Sequence, residues 1–442
     1  MLKLNYKRTF FIGCAFFSIL MLWQVYNTYC PLMLQSLLAD KFNVENELTY
    51  VIGIIMAADN LFALFMLPIF GKLSDKTNTK YGKRMPYIIV GMVLSALLFP
   101  LIVVCFMKGS LAGVIIMMGV ILIIMNAYRN PAVALMPDVT PKPLRSGANG
   151  IINLVGYIGA VIAGALAMFL KTEETYLFSF LIASAFLIIA AVILILTINE
   201  NKILVEVQED MALGEKMSQS LEEVSVDKPL SKSDKKNMWI LLIAILFWFI
   251  SFNAIETFNS LYCQKILNET GLAGTFTIIL TVSSIITFAL LGTLSNKIGR
   301  KYTVLIGLAS IILGIIIICI YSFTPLLETG LVFIIYIAVV FIGVGWALVN
   351  INSYPMIVEM ANKNNIGVFT GRYYTFSMIG QTVTPVLVGL IMSFNDAGLK
   401  LLYVYSLVTM IIAAAVFFFV QERATKKREE KKGFAAFSNP DE

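Results

Sequence analysis

The chain has 442 residues, 59% of them hydrophobic and only 14% charged, where an ordinary soluble domain carries about a quarter charged residues. The net charge of +6 is not gathered into a patch interleaved with aromatics, so no nucleic-acid partner is expected. With no histidine in the chain, the usual metal ligand and the usual neutral-pH proton switch are missing, and proton chemistry falls to carboxylates.

Twelve apolar runs of roughly bilayer-spanning length follow in order: 9–30, 48–70, 86–107, 112–133, 147–170, 176–198, 238–262, 273–295, 303–323, 330–354, 368–394 and 398–421. The basic start (Lys3, Lys7, Arg8) resembles that of a signal peptide. The run behind it is too long for a signal's apolar core and no small-residue cleavage site follows, so a retained first span is expected. The five cysteines (14, 30, 105, 263, 319) lie in or at the ends of these runs, without metal-type spacing, and read as small buried hydrophobes. No metal and no cofactor is expected.

With both termini inside, the outer loops hold Lys41, Lys108, Lys171, Lys265 and Lys400, and the remaining 28 of the 33 Lys and Arg fall on the inner side. This asymmetry predicts cytoplasmic termini and a multi-pass protein of the plasma (inner) membrane. The expected fold is all-α: an N-terminal six-helix bundle (1–198), a cytoplasmic linker (199–237), a C-terminal six-helix bundle (238–421) and a cytoplasmic basic tail (422–442). In the linker, Ile203, Leu204, Val207 and Met211 fit a short amphipathic helix on the inner surface, and the composition equally fits a flexible tether.

A charged loop after the second run, Gly71-Lys72-Leu73-Ser74-Asp75-Lys76, recurs in weaker form as Gly292-Thr293-Leu294-Ser295-Asn296-Lys297, 221 residues later. At the same displacement Met136-Pro137-Asp138 meets Ile357-Val358-Glu359, and Gly150 and Gly159 meet Gly371 and Gly380. Two parallel, pseudo-symmetric halves are the reading, as in many transporters.

The loop Gly71-x-Leu73-Ser74-Asp75-Lys76-Thr77, with basic residues and a second glycine behind it, resembles the signature between spans two and three of the major facilitator superfamily. Its longer form through Thr79-Lys80-Tyr81-Gly82-Lys83-Arg84-x-Pro86 is similar to that of the glycoside–pentoside–hexuronide:cation symporters and the sucrose transporters. Tyr128-Arg129-Asn130-Pro131 through Leu135-Met136-Pro137-Asp138-Val139-Thr140-Pro141, then Arg145-Ser146, resembles the same group. The resemblance implies a secondary active transporter: a proton-coupled symporter of a sugar or disaccharide-type glycoside, working as a monomer by rocker-switch alternating access. It also implies that spans one, four, seven and ten line a central cavity. In that group the place of Arg129 resembles a cation-binding aspartate in one branch and a sugar-associated arginine in the other. The paired carboxylates of sodium symporters align here with Ala63 and Leu67, so a sodium site of that type is missing, although sodium on other ligands stays open.

An ionisable side chain at the bilayer centre is costly unless it faces water or a partner. Asp59, mid-way along the second run beside Asn60, is therefore expected to carry the proton, paired with Arg129 on the fourth. Protonation of Asp59 would free Arg129 for a substrate hydroxyl. Glu256 is the second proton candidate, and Asn253, Glu256 and Asn259 at i, i+3 spacing put a polar stripe on one face of the seventh run. Trp23, Gln24, Tyr26, Asn27, Asn60, Asn126, Arg129, Trp346 and Asn350 complete the expected substrate set, since amides, a carboxylate and aromatic faces suit a sugar. Tyr373, Tyr374 and Gln381 are expected at helix contacts. Gly71, Asp75, Lys76, Lys83, Arg84, Asp138, Glu359 and Arg372 are expected at the cytoplasmic gate, with Asp75 facing the start of the eleventh span.

The alternative within transport is an exporter or antiporter of a drug, metabolite or lysolipid. A membrane enzyme or receptor is the alternative of another class. No Gly-x4-Gly-Lys-Ser/Thr phosphate loop exists to drive a pump.

Overall fold

The computed structural model describes residues 2–43, 48–222, 232–291, 294–358, 360, 366–393 and 397–421, and among these every regular element is a helix. The long helices are α1 (Tyr6–Phe42), α2 (Thr49–Lys76), α3 (Met85–Met107), α4 (Leu111–Asp138), α5 (Arg145–Phe169) and α6 (Tyr176–Thr197). The second set is α7 (Lys232–Lys265), α8 (Gly271–Leu291), α9 (Arg300–Phe323), α10 (Phe333–Val358), α11 (Ile366–Ser393) and α12 (Leu401–Phe418). Eleven helices meet the length and hydropathy of a membrane span, and the 28-residue α2 takes the remaining place in the series.

Local chemistry sets the helix ends. Asn5 Oδ1 accepts the Arg8 N–H at 3.0 Å to start α1, which runs past the expected end at 30 to Asn43 in the left-handed region (φ 56°). Ser110 Oγ caps α4 through the Gly113 N–H. Pro100 lacks the N–H that would continue the ladder and divides α3 after Leu98. Large apolar side chains such as Phe65, Leu97, Ile116, Leu196 and Leu290 stand exposed, as they must on a surface that meets lipid rather than water.

Helix pairing displays the repeat. In the first half α1 packs on α5 and α6, α4 on α2 and α3, and α3 on α6. The second half reproduces each pairing six helices later: α7 on α11 and α12, α10 on α8 and α9, and α9 on α12. The main contacts between halves are α2 with α11, the symmetry-related α5 with α8, and α1 with α7. Of the two loop motifs that suggested the repeat, residues 292, 293 and 359 lie outside the described set, as does the Asn296 side chain.

These contacts between halves have a depth. The basic loops after α2 and α4 lie at one end of the helices, here the basic face. At the opposite end a Cβ on Gly53 would strike the Pro385 carbonyl O, and one on Gly274 the Gly164 carbonyl O. Ser393 Oγ accepts the Tyr50 N–H at 3.0 Å, and Lys171 bridges to Glu269 at 2.6 Å. Mid-depth contacts add Asn60 Nδ2 to the Gln381 carbonyl (3.3 Å) and Tyr157 stacked on Phe288. The bundles thus close over their interior on the face away from the basic loops.

The linker is helical at Glu200–Glu206 and Gln208–Glu222. Ile203 and Val207 are buried and the segment docks on the basic face of the first bundle. Of the two sequence readings, the amphipathic helix fits the described part, with protein rather than lipid beneath it.

Candidate functional site

Between the bundles lies a cavity of about 350 Å³, a usual size for a small-molecule site. The α7 stripe forms one wall: Phe249, Phe252, Asn253, Glu256 and Asn259 line it together, because positions three and four apart share a helix face. Trp346 of α10 lies flat on Phe252, ring centroids 3.6 Å apart and planes 5° from parallel, with Phe249 edge-on to it. From the first bundle come Trp23 and Gln24 of α1 and Tyr157 of α5. Gln24 Nε2 also donates to Thr277 of α8 at 3.0 Å, tying the halves together at the cavity.

The charges are placed for use. Glu256 is exposed to the cavity although it sits well inside α7, in its second half. Asn253 hydrogen-bonds its carboxylate, and Arg129 of α4 is close enough to act on it electrostatically. The Arg129 guanidinium lies over the Trp23 ring, 5.0 Å from its centroid. A carboxylate of the second bundle therefore opens on a polar, aromatic chamber, with a cation of the first bundle behind the Trp23 wall rather than in the lining itself. Asn259 Oδ1 accepts from Tyr403 of α12 at 2.9 Å, which leaves its amide N–H groups for other partners.

Six expected residues meet at the cavity: Trp23, Gln24, Asn253, Glu256, Asn259 and Trp346. Others do not face it. Tyr26 and Asn27 are buried in α1. Asn126 is buried and donates to the Leu122 carbonyl one turn earlier (2.9 Å), and Asn350 does the same to Trp346 (2.9 Å). Asn60 joins α2 to α11. The amide N–H groups of Asn126, Asn350 and Asn60 are thus each taken up by a helix carbonyl. Gln381 moves the other way, from an expected helix contact to the lining. Phe252, Tyr157, Thr277 and Tyr403 were missed, since isolated aromatic or hydroxyl residues in an apolar run carry no periodic signal. The Asp59 side chain lies outside the described residues, so the expected Asp59–Arg129 pair does too.

The basic-face cluster has Arg84 at its centre. Its side chain is 6% exposed. It donates to Asp75 and to Ser74 Oγ, to Asp138 at 2.9 Å and to the Gly71 carbonyl at 3.5 Å. Lys83 adds a second bridge to Asp138 at 3.1 Å. Burial works against the Arg84 charge, and Asp138 and Asp75 outweigh it, so its pKa stands above the ordinary arginine value. Gly71 is pressed against α4, where a Cβ would come within 2.4 Å of the Asn130 amide. This network ties the ends of α2, α3 and α4 within one bundle. The described partner of Asp75 is Arg84; residues 361–365, before the start of α11, lie outside the described residues, and so does the contact expected there. Lys76 is exposed. Arg372 packs over Trp239 and Phe369 of its own bundle, and Glu359 lies outside the described residues.

The model of the Major Facilitator Superfamily matches residues 12–385 and 332–440. Among solved structures, a D-xylose–proton symporter is 14% identical, with a TM-score of 0.67 over 95% of this chain and 99% of its own. A bacterial homologue of the iron transporter ferroportin, in its inward-facing state, is 12% identical, with a TM-score of 0.67 over 94% and 99%. A POT family transporter in complex with 5-aminolevulinic acid is 12% identical, with a TM-score of 0.66 over 94% and 95%. At these identities the likeness is one of fold. No curated protein sequence matches significantly.

Proposed function

The chain belongs to the Major Facilitator Superfamily, and on that premise we propose that this transporter is a proton-coupled symporter of a sugar or glycoside, acting as a monomer in the plasma membrane. The observation that carries the reading is Glu256, a carboxylate open to a cavity walled by amides and flat aromatic faces, with the Arg129 guanidinium of the opposite bundle near enough to act on it electrostatically. Amides and the carboxylate suit sugar hydroxyls, and the Trp346 and Trp23 faces suit the C–H side of a pyranose ring. The basic face is cytoplasmic in this proposal, so the closed opposite face makes the described conformation inward-facing.

Coupling follows from charge. With Glu256 ionised, the carboxylate and Arg129 hold each other's attention across the bundle interface. A proton on Glu256 neutralises the carboxylate, ends its attraction for Arg129 and releases the guanidinium for cargo, so cation and sugar are taken up together. Asp59 is a second carboxylate that could relay the proton along α2. The test is uptake of radiolabelled xylose, glucose, maltose and sucrose into proteoliposomes with an acidic exterior. Gradient-driven accumulation of at least one sugar is expected. Accumulation of none, together with proton-driven extrusion of a drug or lysolipid, would replace the reading with an exporter.

A further inference from the structure

Glu200, the second residue of the linker, is completely buried (0% exposed) yet has no cation on its carboxylate among the described contacts. Its Oε2 instead accepts two backbone N–H groups, those of Arg84 (2.9 Å) and Met85 (3.0 Å). These are donors at the start of α3, which the helix cannot satisfy itself and which Arg84's own side chain does not cap. A carboxylate there also meets the positive end of the helix dipole. Burying a charge is costly without such compensation, so this placement demands a reason. The neighbouring Asn201 amide fastens the same loop, donating to the carbonyls of Thr79 (3.0 Å) and Lys80 (3.1 Å).

The loop is shaped to receive the carboxylate. Gly82 adopts φ +111°, and a Cβ on it would stand 2.2 Å from Glu200 Oε2. Two residues on, the backbone of Arg84 is pinned at one end by Glu200 while its guanidinium reaches Asp75 and Asp138 at the other. The linker as far as Glu215 follows the same surface: Glu215 bridges to Lys142 at 2.7 Å, Gly214 packs on Pro141, and Glu206 and Asp210 act electrostatically on Arg8.

We infer that Glu200 is a positioning residue: by capping α3 from the linker, it sets the backbone from which Arg84 ties α2 to α4, and makes the linker a working part of the basic face. Loss of this clasp frees both the start of the linker and the backbone that carries Arg84. The functional consequence rests on the transport reading, whereas the structural link does not.

Hydrogen exchange on the purified full-length protein tests the link without any substrate. Glu200→Ala should speed exchange at least tenfold in two separate segments, 80–88 and 199–217, while α8 is unchanged. Gly82→Ala should reproduce the same two-segment pattern from the other side of the contact. Glu200→Gln, which keeps an acceptor oxygen, should stay within about threefold of the natural protein. Unchanged exchange at 80–88 in Glu200→Ala, or a rise spread evenly over both bundles, overturns the inference. If a transported sugar is in hand, Glu200→Ala should lower Vmax several-fold at constant KM, with partial rescue by Gln. A matching rise in KM instead would overturn the positioning role. Failure of every sugar to move leaves the exchange result to decide the inference and counts only against the transport reading.

Discussion

Substituting Gly274 with alanine probes the seam between the bundles on the face away from the basic loops. The new Cβ would lie 2.2 Å from the Gly164 carbonyl O and 2.4 Å from the Met168 backbone N. Both are backbone atoms, which cannot swing aside as a side chain does. Restoring van der Waals contact requires α5 and α8 to separate by about 1 Å at this crossing. Overpacking of this kind costs roughly 1–3 kcal/mol, and the cost is absent once the seam opens. At about 1.4 kcal/mol per factor of ten, the closed seam should lose a factor of roughly 5–150 in population. Gly164→Ala, whose nearest contact is at 2.9 Å, should show a smaller shift of the same sign. Gly119→Ala, with no atom within 4 Å, is the control. Pulsed electron resonance distances between spin labels at positions 174 and 265, on a cysteine-replaced background, report the seam directly. Longer distances in Gly274→Ala and an unchanged distribution in Gly119→Ala are expected. Distributions that superimpose for Gly274→Ala and the natural protein would refute the reasoning.

Three further outcomes follow from the same geometry. Arg84→Lys keeps the charge but cannot span Asp75 and Asp138 with a planar fork, so it should lower stability by about 1–3 kcal/mol, read as a fall in the melting temperature; an unchanged melt would show the fork to be idle. Lys171→Ala removes a bridge whose two side chains are each 44% exposed, so the label distances should change little and any difference should fade in high salt. Trp346→Ala strips the stacked partner from Phe252 and should raise the KM for the transported sugar about tenfold; a lower Vmax at unchanged KM would place the ring outside the binding surface.

Much of the fold was legible because lipid imposes one rule on every span, and a run such as 176–198 has no other way to satisfy its backbone. The halves were legible because Gly71 and Asp138 recur in register, and the helix pairings repeat with the same offset of six. The α7 wall was legible as well, since Asn253, Glu256 and Asn259 share a period. Elsewhere the polar signal does not separate one environment from another. Asn126 and Asn350 bond to their own helices, one turn back, and no spacing rule separates such an amide from one that faces cargo. Trp346 was found, yet its partner Phe252 was not, because a phenylalanine in an apolar run looks like any lipid-facing residue. The Glu200 clasp was invisible for another reason: it joins residues 116 apart, and only folding brings a linker carboxylate to the start of α3.

Proton-driven accumulation measured beside counterflow, for Glu256→Gln in proteoliposomes, bears most directly on the central claim. If Glu256 couples proton to cargo, the variant should still exchange labelled for unlabelled sugar, but it should no longer concentrate sugar against a gradient or alkalinise the medium as sugar enters. Full gradient-driven accumulation by Glu256→Gln would contradict it.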